Sequence, residues 1–403
     1  MMNIIPYGKQ EITADDILAV TEALKADFLT QGPRILAFEK EFANYVDANF
    51  AVAVSNGTAA LHLSVLALGI KEDEYVICSP LTFAASVNCV QYCGGNVLFA
   101  DIDSSTYLLD IDSVKKVIDQ NKDKKIVGII PVDFAGRVPQ MDEFKKLADT
   151  YGLWIIEDAC HAPGGFFIDG FGNKQKAGNG KFANTSVFSF HPVKHIATGE
   201  GGMITTNDEK IYKQLLELRT HGITRDISKF ENSIEFASGE SDFSYQDYPL
   251  WYMEMQALGY NYRITDFQAA LGSSQLLRAK KNLEKRIQIA SIYTKELNSI
   301  DGIIHSSGLI EGHAYHLYVL EVKNRREFYD YLRTKNIYAQ IHYIPVHLMP
   351  YYKKLGWNEG DLPNVEKYYS RCISIPMFAN LENSEIDYII DVIKNYYTKN
   401  GNI

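Results

Sequence analysis

The chain has 403 residues, 46% hydrophobic and 22% charged, the ordinary balance of a globular protein with a sizeable core and room for two or three domains. Its formal net charge of -10, with no long basic run, excludes a general nucleic-acid binder, although a small anion needs only a local positive pocket. An odd count of 5 cysteines excludes a disulfide framework and fits a reducing compartment. "MMNIIPYGKQEITADD" is no signal peptide, and no apolar run nears the roughly 20 residues that span a bilayer, so a cytoplasmic protein with no membrane partner is expected.

In chain order, "ITADDILAVTEALKAD" opens with Thr13 and, three residues on, Asp16, a capped helix start. "RILAFEKEFANYVDA" has helical apolar spacing. "FAVAVS" reads as a buried strand, and "NGTAALHLSVLALG" as a helix entered through Asn56, Gly57 and Thr58. The strand "YVICS" precedes the helix "FAASVNCVQYCG". "NVLFADI", "KKIVGIIPV" and "LWIIEDA" are further buried strands, separated by helices such as "MDEFKKLADTYG". This alternation predicts βαβ units and a mostly parallel sheet, an α/β fold.

"SVFSF" and "GGMITTND" follow, then the helix "EKIYKQLLELRTHG". The polar, weakly periodic stretch from 224 to about 250–255 reads as a long loop or insertion. "DFQAALGSSQLLRAKKNLEKRIQIASIYTKELNSI" reads as one long connecting helix. Strand "YHLYVLEV", helix "REFYDYLRTKN", strand "IYAQIHY" and helix "SEIDYIIDVIKNYYTKN" predict a smaller α+β domain, giving a large domain over 1–274 and a small one over 275–403.

Several stretches carry chemistry. "SNGTAAL" places Thr58 and Ala59 at a helix start after a strand, where N–H groups and the dipole hold an anion; alone it is an ordinary cap. "LWIIEDACHA" ends a strand on Glu157 and Asp158, where an acid can keep a ring nitrogen protonated. Cys160 and His161 lack companions of metal-ligand spacing, and His191 and His195 do not supply them, so no metal is expected. "SVFSFHPVKHIATGEGG" brings Ser189 and then Lys194 from a strand end into a glycine-rich turn. An enclosed lysine loses part of its charge and attacks carbonyls. With the aromatic Phe83 after a strand, the set matches the needs of pyridoxal 5'-phosphate: an anion cradle, a ring acid, a stacking face and a lysine.

The chain resembles fold-type I pyridoxal-phosphate enzymes, namely the DegT/DnrJ/EryC1/StrS sugar aminotransferases. "LTQGPRILAFEKEFANYVDANFAVAVSNGTAAL", "VFSFHPVKHIATGEGGMITTND", "WYMEMQALGYNYRITDFQAALGSSQL", "QIHYIPVH" and "SIPMF" carry the likeness nearly end to end. It is similar to the branch that makes pseudaminic acid precursors. The resemblance implies transfer of the amino group of L-glutamate to the C4 ketone of a UDP-linked keto-sugar. It makes Lys194 the residue that joins the cofactor aldehyde and shuttles the proton, and Asp158 the partner of the ring nitrogen. Thr58, Ala59 and Ser189 match phosphate ligands, and Phe83 the stacking ring. His161 stands near the cofactor 3'-oxygen, where many relatives have glutamine. Asn261 matches a residue lent by the neighbouring subunit, with Arg263 close by, which implies a homodimer with shared sites. His342, Tyr343 and His347 match a segment lining the sugar-nucleotide pocket. Dehydratases of the family replace the lysine with histidine, whereas "HPVK" keeps Lys194. A non-catalytic binding module would not need Lys194 with Asp158, and no G-x-G-x-x-G supports a dinucleotide enzyme. The sugar isomer stays open between this branch and the D-gluco, bacillosamine-type one.

Overall fold

The computed structural model describes residues 4–239 and 246–400, the side chains of 399 and 400 excepted. A seven-stranded sheet dominates. Its strands, in chain order, are β1 (Phe50–Val54), β2 (Glu74–Cys78), β3 (Asn96–Phe99), β4 (Lys125–Ile130), β5 (Trp154–Asp158), β6 (Thr185–Ser189) and β7 (Gly202–Thr206). Across the sheet they run β1-β7-β6-β5-β4-β2-β3. The pairs within β6-β5-β4-β2-β3 are parallel; β7 alone runs against both its neighbours. The mostly parallel fold-type I sheet expected from the sequence is therefore present. Central strands are buried on both faces, so they read as continuous apolar runs.

Two cores sandwich the sheet. One gathers Val52, Val54, Leu61, Leu63, Val76 and Ile156; the other gathers Phe38, Phe42, Ile77, Ile129, Phe188 and Met203. Alternate residues of one strand serve opposite cores, as the two-residue repeat of a strand requires. A third core, with Tyr293, Leu320, Phe328, Ile375 and Ile389, sits in the C-terminal region. Its sheet is three antiparallel strands, Ile303–Ser306, Tyr318–Val322 and Cys372–Ile375.

Helix ends follow their sequences. The Thr13 side chain accepts from Asp16 N while Asp16 accepts from Thr13 N, a complete capping box at the helix Ala14–Lys25. Asn56 caps the helix Gly57–Leu68, and Gly69 ends it in the left-handed region at φ 74°.

Three expectations need correction. The single long connecting helix is two, Asp266–Leu277 and Ala279–Leu297, broken at Arg278. The guanidinium of Arg278 there turns to the buried carboxylate of Asp16 and to the carbonyl of Glu11. The long strand over "IYAQIHY" shrinks to Ile337–Tyr338, which pairs with Ile5–Pro6 from the N-terminus. The polar stretch is more ordered than a loop: Ile223–Thr224 pairs with Glu254–Met255, and a short helix spans Ile234–Ser238. Glu254 pins it, accepting from the N–H groups of Glu231 and Asn232 and from Tyr252 Oη. Residues 240–245 of that stretch lie outside the described residues.

Candidate active site

The carboxyl ends of β5 and β6 and the start of the helix Gly57–Leu68 converge on a cavity of about 830 Å³. Thr58, Ala59, Phe83, Asp158, His161, Ser189, Lys194, His342 and Tyr343 all line it. Residues spread over most of the chain thus meet in one place. Strand carboxyl ends are where open α/β sheets expose ligand sites.

At one end lies an anion cradle. The Ala59 N–H is already used by the Asn56 cap at 2.8 Å. The Gly57 and Thr58 N–H groups, first in the helix, have no acceptor among the described residues and point at the positive dipole end. Ser189 packs against this turn: a Cβ on Gly57 would come 3.3 Å from Ser189 Oγ. Gly202 matters more than Gly199 here. A Cβ at Gly202 would meet the Asn56 carbonyl oxygen at 2.5 Å, so only glycine lets β7 lie against the cradle.

At the other end lies Asp158. Ser86 Oγ donates to its Oδ2 at 2.5 Å and the Cys160 N–H to its Oδ1 at 3.2 Å. Strand alternation separates the two acids of the "ED" pair. Glu157 points away from the cavity and takes hydrogen bonds from Ser186 Oγ and the Gly178 N–H, with burial pushing it up to about 7. Of the two acids, Asp158 is the one that lines the cavity.

Lys194 stands between these ends, on a turn closed by its own N–H to the His191 carbonyl. Its ammonium has no hydrogen bond or ion pair among the described residues. Burial lowers its pKa, against a smaller opposing pull from Cys160 and Asp158. Such a lysine gives up its proton more readily than a free one, which carbonyl chemistry needs. Its neighbour His195 is buried, bonded through Nε2 to the Ala314 carbonyl at 2.8 Å, and takes no part in the cavity.

Within the chain, His161 is held at both ring nitrogens. The Ala135 N–H donates to Nδ1 at 3.2 Å, and Nε2 lies 3.2 Å from Tyr343 Oη. Burial, and then Lys194, drive its pKa well down, so the ring is neutral with its proton on Nε2. His161 therefore donates to Tyr343. His342 is fixed through Nδ1 to Ser374 Oγ at 2.9 Å, and burial lowers its pKa to about 3.

Three residues fall elsewhere. His347 is a correction: it is fully buried outside the cavity, its Nε2 3.0 Å from Glu366 Oε1. Its ring packs near Phe99, so it builds structure between the large sheet and the C-terminal segments. Asn261 and Arg263 do not line this chain's own cavity; they bridge Thr220 and Val54 along an extended segment, with Asn261 exposed. Tyr7, Ser86 and Tyr262 line the cavity without having been singled out by sequence. No local pattern marks Tyr7. It arrives because Ile5–Pro6 pairs with Ile337–Tyr338, which sets its ring 5.1 Å from His342.

A mostly parallel sheet with an aspartate at one strand end and a lysine on the turn after the neighbouring strand, beside a helix start, has the architecture of the fold-type I α/β class. Residues 10–394 match the DegT/DnrJ/EryC1/StrS aminotransferase family, and the chain belongs to that family. It is a sugar aminotransferase of that family. It is 36% identical over 406 residues to an uncharacterized protein of Methanocaldococcus jannaschii, covering 99% of each chain. It is 34% identical to the UDP-4-amino-4,6-dideoxy-N-acetyl-beta-L-altrosamine transaminase of Campylobacter jejuni, covering 97% of this chain and 96% of that protein. The solved structure of Helicobacter pylori PseC, an aminotransferase of pseudaminic acid biosynthesis, superposes with TM-score 0.86 at 26% identity, over 98% of this chain and 100% of that one. A Streptococcus pneumoniae sugar aminotransferase in its PMP form gives TM-score 0.85 at 26% identity, over 98% and 99%. No described helix is long and apolar enough to cross a membrane.

Proposed function

We propose that the chain moves the amino group of L-glutamate to the C4 ketone of UDP-2-acetamido-2,6-dideoxy-β-L-arabino-hex-4-ulose. The product is UDP-4-amino-4,6-dideoxy-N-acetyl-β-L-altrosamine, a precursor of pseudaminic acid. The names of the Campylobacter and Helicobacter relatives support this sugar. The observation that carries the reading is Lys194, half-buried and without a hydrogen bond or ion pair among the described residues, facing a cavity with a helix start at one end and Asp158 at the other.

The donor set fits pyridoxal 5'-phosphate, and the Streptococcus relative in PMP form supports it. When bound, that cofactor supplies an aldehyde to exchange amines and a ring to hold an electron pair. The Gly57 and Thr58 N–H groups, the Thr58 hydroxyl and Ser189 would hold the phosphate, while the Ala59 N–H is held by the Asn56 cap. Asp158 keeps a proton on the ring nitrogen, its carboxylate held in place by Ser86. Phe83, which lines the cavity, would cover one face of the ring. His161, donating through Nε2 to Tyr343, would set the wall beside the 3'-oxygen. Lys194 Nζ takes the proton from glutamate Cα and later delivers one to sugar C4, which its lowered pKa favours. His342 and Tyr343 line the sugar side. A second copy of the chain brings Asn261 and Arg263 to the phosphate, so the active form is a homodimer, working in the cytoplasm. Exposed Leu250, Trp251, Met255 and Leu258 beside Asn261 offer the apolar surface for that contact.

The test is incubation of the purified protein with each 4-keto-sugar isomer and glutamate, with the product read by NMR. Amination of the L-arabino isomer is expected. Amination of the D-gluco isomer alone would overturn the assignment.

A further inference from the structure

A second cavity has a volume of about 410 Å³. Phe134 and Ala135 form one of its walls. Ala135 lines the second cavity, while its N–H donates to His161 in the first. The far wall comes from the segment 303–313 of the C-terminal region.

Its lining is one-sided in charge. Arg137 is half-buried, and its guanidinium has no hydrogen bond or ion pair among the described residues. Burial pulls its pKa down, and the field of Asp103 only partly offsets this. Asp103 forms no ion pair with it. Its Oδ1 instead accepts from the N–H groups of Ser105 and Thr106, at 3.0 and 2.7 Å, and from Ser105 Oγ at 2.6 Å. No Asp or Glu lines the cavity among the described residues.

A second donor is fixed in place. His313 is 4% exposed, and its Nδ1 accepts the Tyr315 N–H at 2.9 Å. Burial, and then Arg137, lower its pKa to about 3, so the ring is neutral and Nε2 carries its proton. Tyr315 is itself held at both ends of its hydroxyl, donating to the Gly308 carbonyl and accepting from the Ile310 N–H. The ring of His313 stacks on it at 4.1 Å. Ser306 and Ser307 add hydroxyls to the rim.

An unpaired arginine that is half out of water costs free energy unless an anion completes it. Its planar fork matches two oxygens of a carboxylate or phosphate. The volume suits a small metabolite rather than a nucleotide sugar. We propose that this cavity is a second ligand site, for a small oxyanion held in a fork by Arg137 and by His313 Nε2–H. The proposal does not depend on which sugar the active site takes.

Calorimetric titration of the cofactor-loaded protein tests it, because the cofactor then fills the other anion cradle. The probes are inorganic phosphate and glutarate, in separate runs. At least one is expected to bind, with Arg137→Gln weakening it tenfold or more and His313→Gln about threefold. Tighter phosphate marks a phosphate ester as the natural ligand; tighter glutarate marks a dicarboxylate. Arg137→Lys keeps the charge but not the fork, and is expected to weaken binding several-fold in a fully folded protein. Failure of both probes to bind, or equal binding by wild type and Arg137→Gln, would overturn the proposal.

Discussion

Lys194 shows how one position trades stability for chemistry. Its pKa is lowered, so the folded state disfavours the charged amine below the ordinary value of 10.5. Stability then rises with pH between the folded and unfolded pKa values, and at neutral pH the side chain is a burden. Lys194→Met, without cofactor, is expected to melt a few degrees above wild type in a thermal scan at pH 7, while losing all amino transfer. A lower midpoint would mean that the ammonium has a partner. Ser86 is the complementary case, since its hydroxyl supports a buried carboxylate. Ser86→Ala is expected to weaken cofactor binding about tenfold, the worth of one hydrogen bond to a charged group, measured by following absorbance during cofactor titration. The role of Ser86 was not legible in sequence, because the contact joins residues 72 positions apart. Lys194 and Asp158 were legible, because each sits in a short motif whose neighbours are odd without the chemistry.

At the scale of elements, the strands around the cavity depend on close approach more than on burial. Gly202→Ala would drive a Cβ into the backbone of Asn56 and Gly57, at 2.5 and 2.9 Å. A loss of about 1–3 kcal/mol in urea unfolding is expected, with weaker cofactor binding because the cradle itself must shift. The break at Arg278 makes a second case. Asp16 is fully buried and accepts from Arg278, Ser274, Gln275 and the Thr13 N–H. Burial pushes its pKa up, but the Arg278 hydrogen bonds and the other donors outweigh it, leaving the pKa below the ordinary 3.8. Its stabilisation is therefore complete above that value and lost only as the pH falls through the folded pKa. Asp16→Ala is expected to cost about 3–5 kcal/mol at neutral pH, with the difference from wild type shrinking below about pH 4. Periodicity ran the two helices together because both keep the 3.6-residue pattern across Arg278; the break comes from a partner over 260 residues away. Capping at Thr13 and Asn56 was legible because it is local.

For the whole molecule, the sheet could be read in advance because its buried strands are short apolar runs between helices. The N-terminal strand pair was not, since two residues carry no period. We propose a domain boundary at 274–275, close to the break at Arg278. The shared site predicts a mixing result. Lys194→Ala and Asn261→Ala are each expected to be nearly inactive alone. Co-expressed, they should regain activity, because each mixed dimer keeps one site with both residues intact. No recovery would mean that Asn261 serves its own chain or none. His347 looked like a pocket residue because it lies in the same short segment as His342 and Tyr343; in the fold it turns inward to Glu366. The most direct test of the account is reduction of the purified holoprotein with borohydride, followed by peptide mapping. The account predicts the pyridoxyl group on Lys194 alone, in the peptide "HPVKHIATGEGG". A pyridoxyl group on another lysine, or on none, would contradict it.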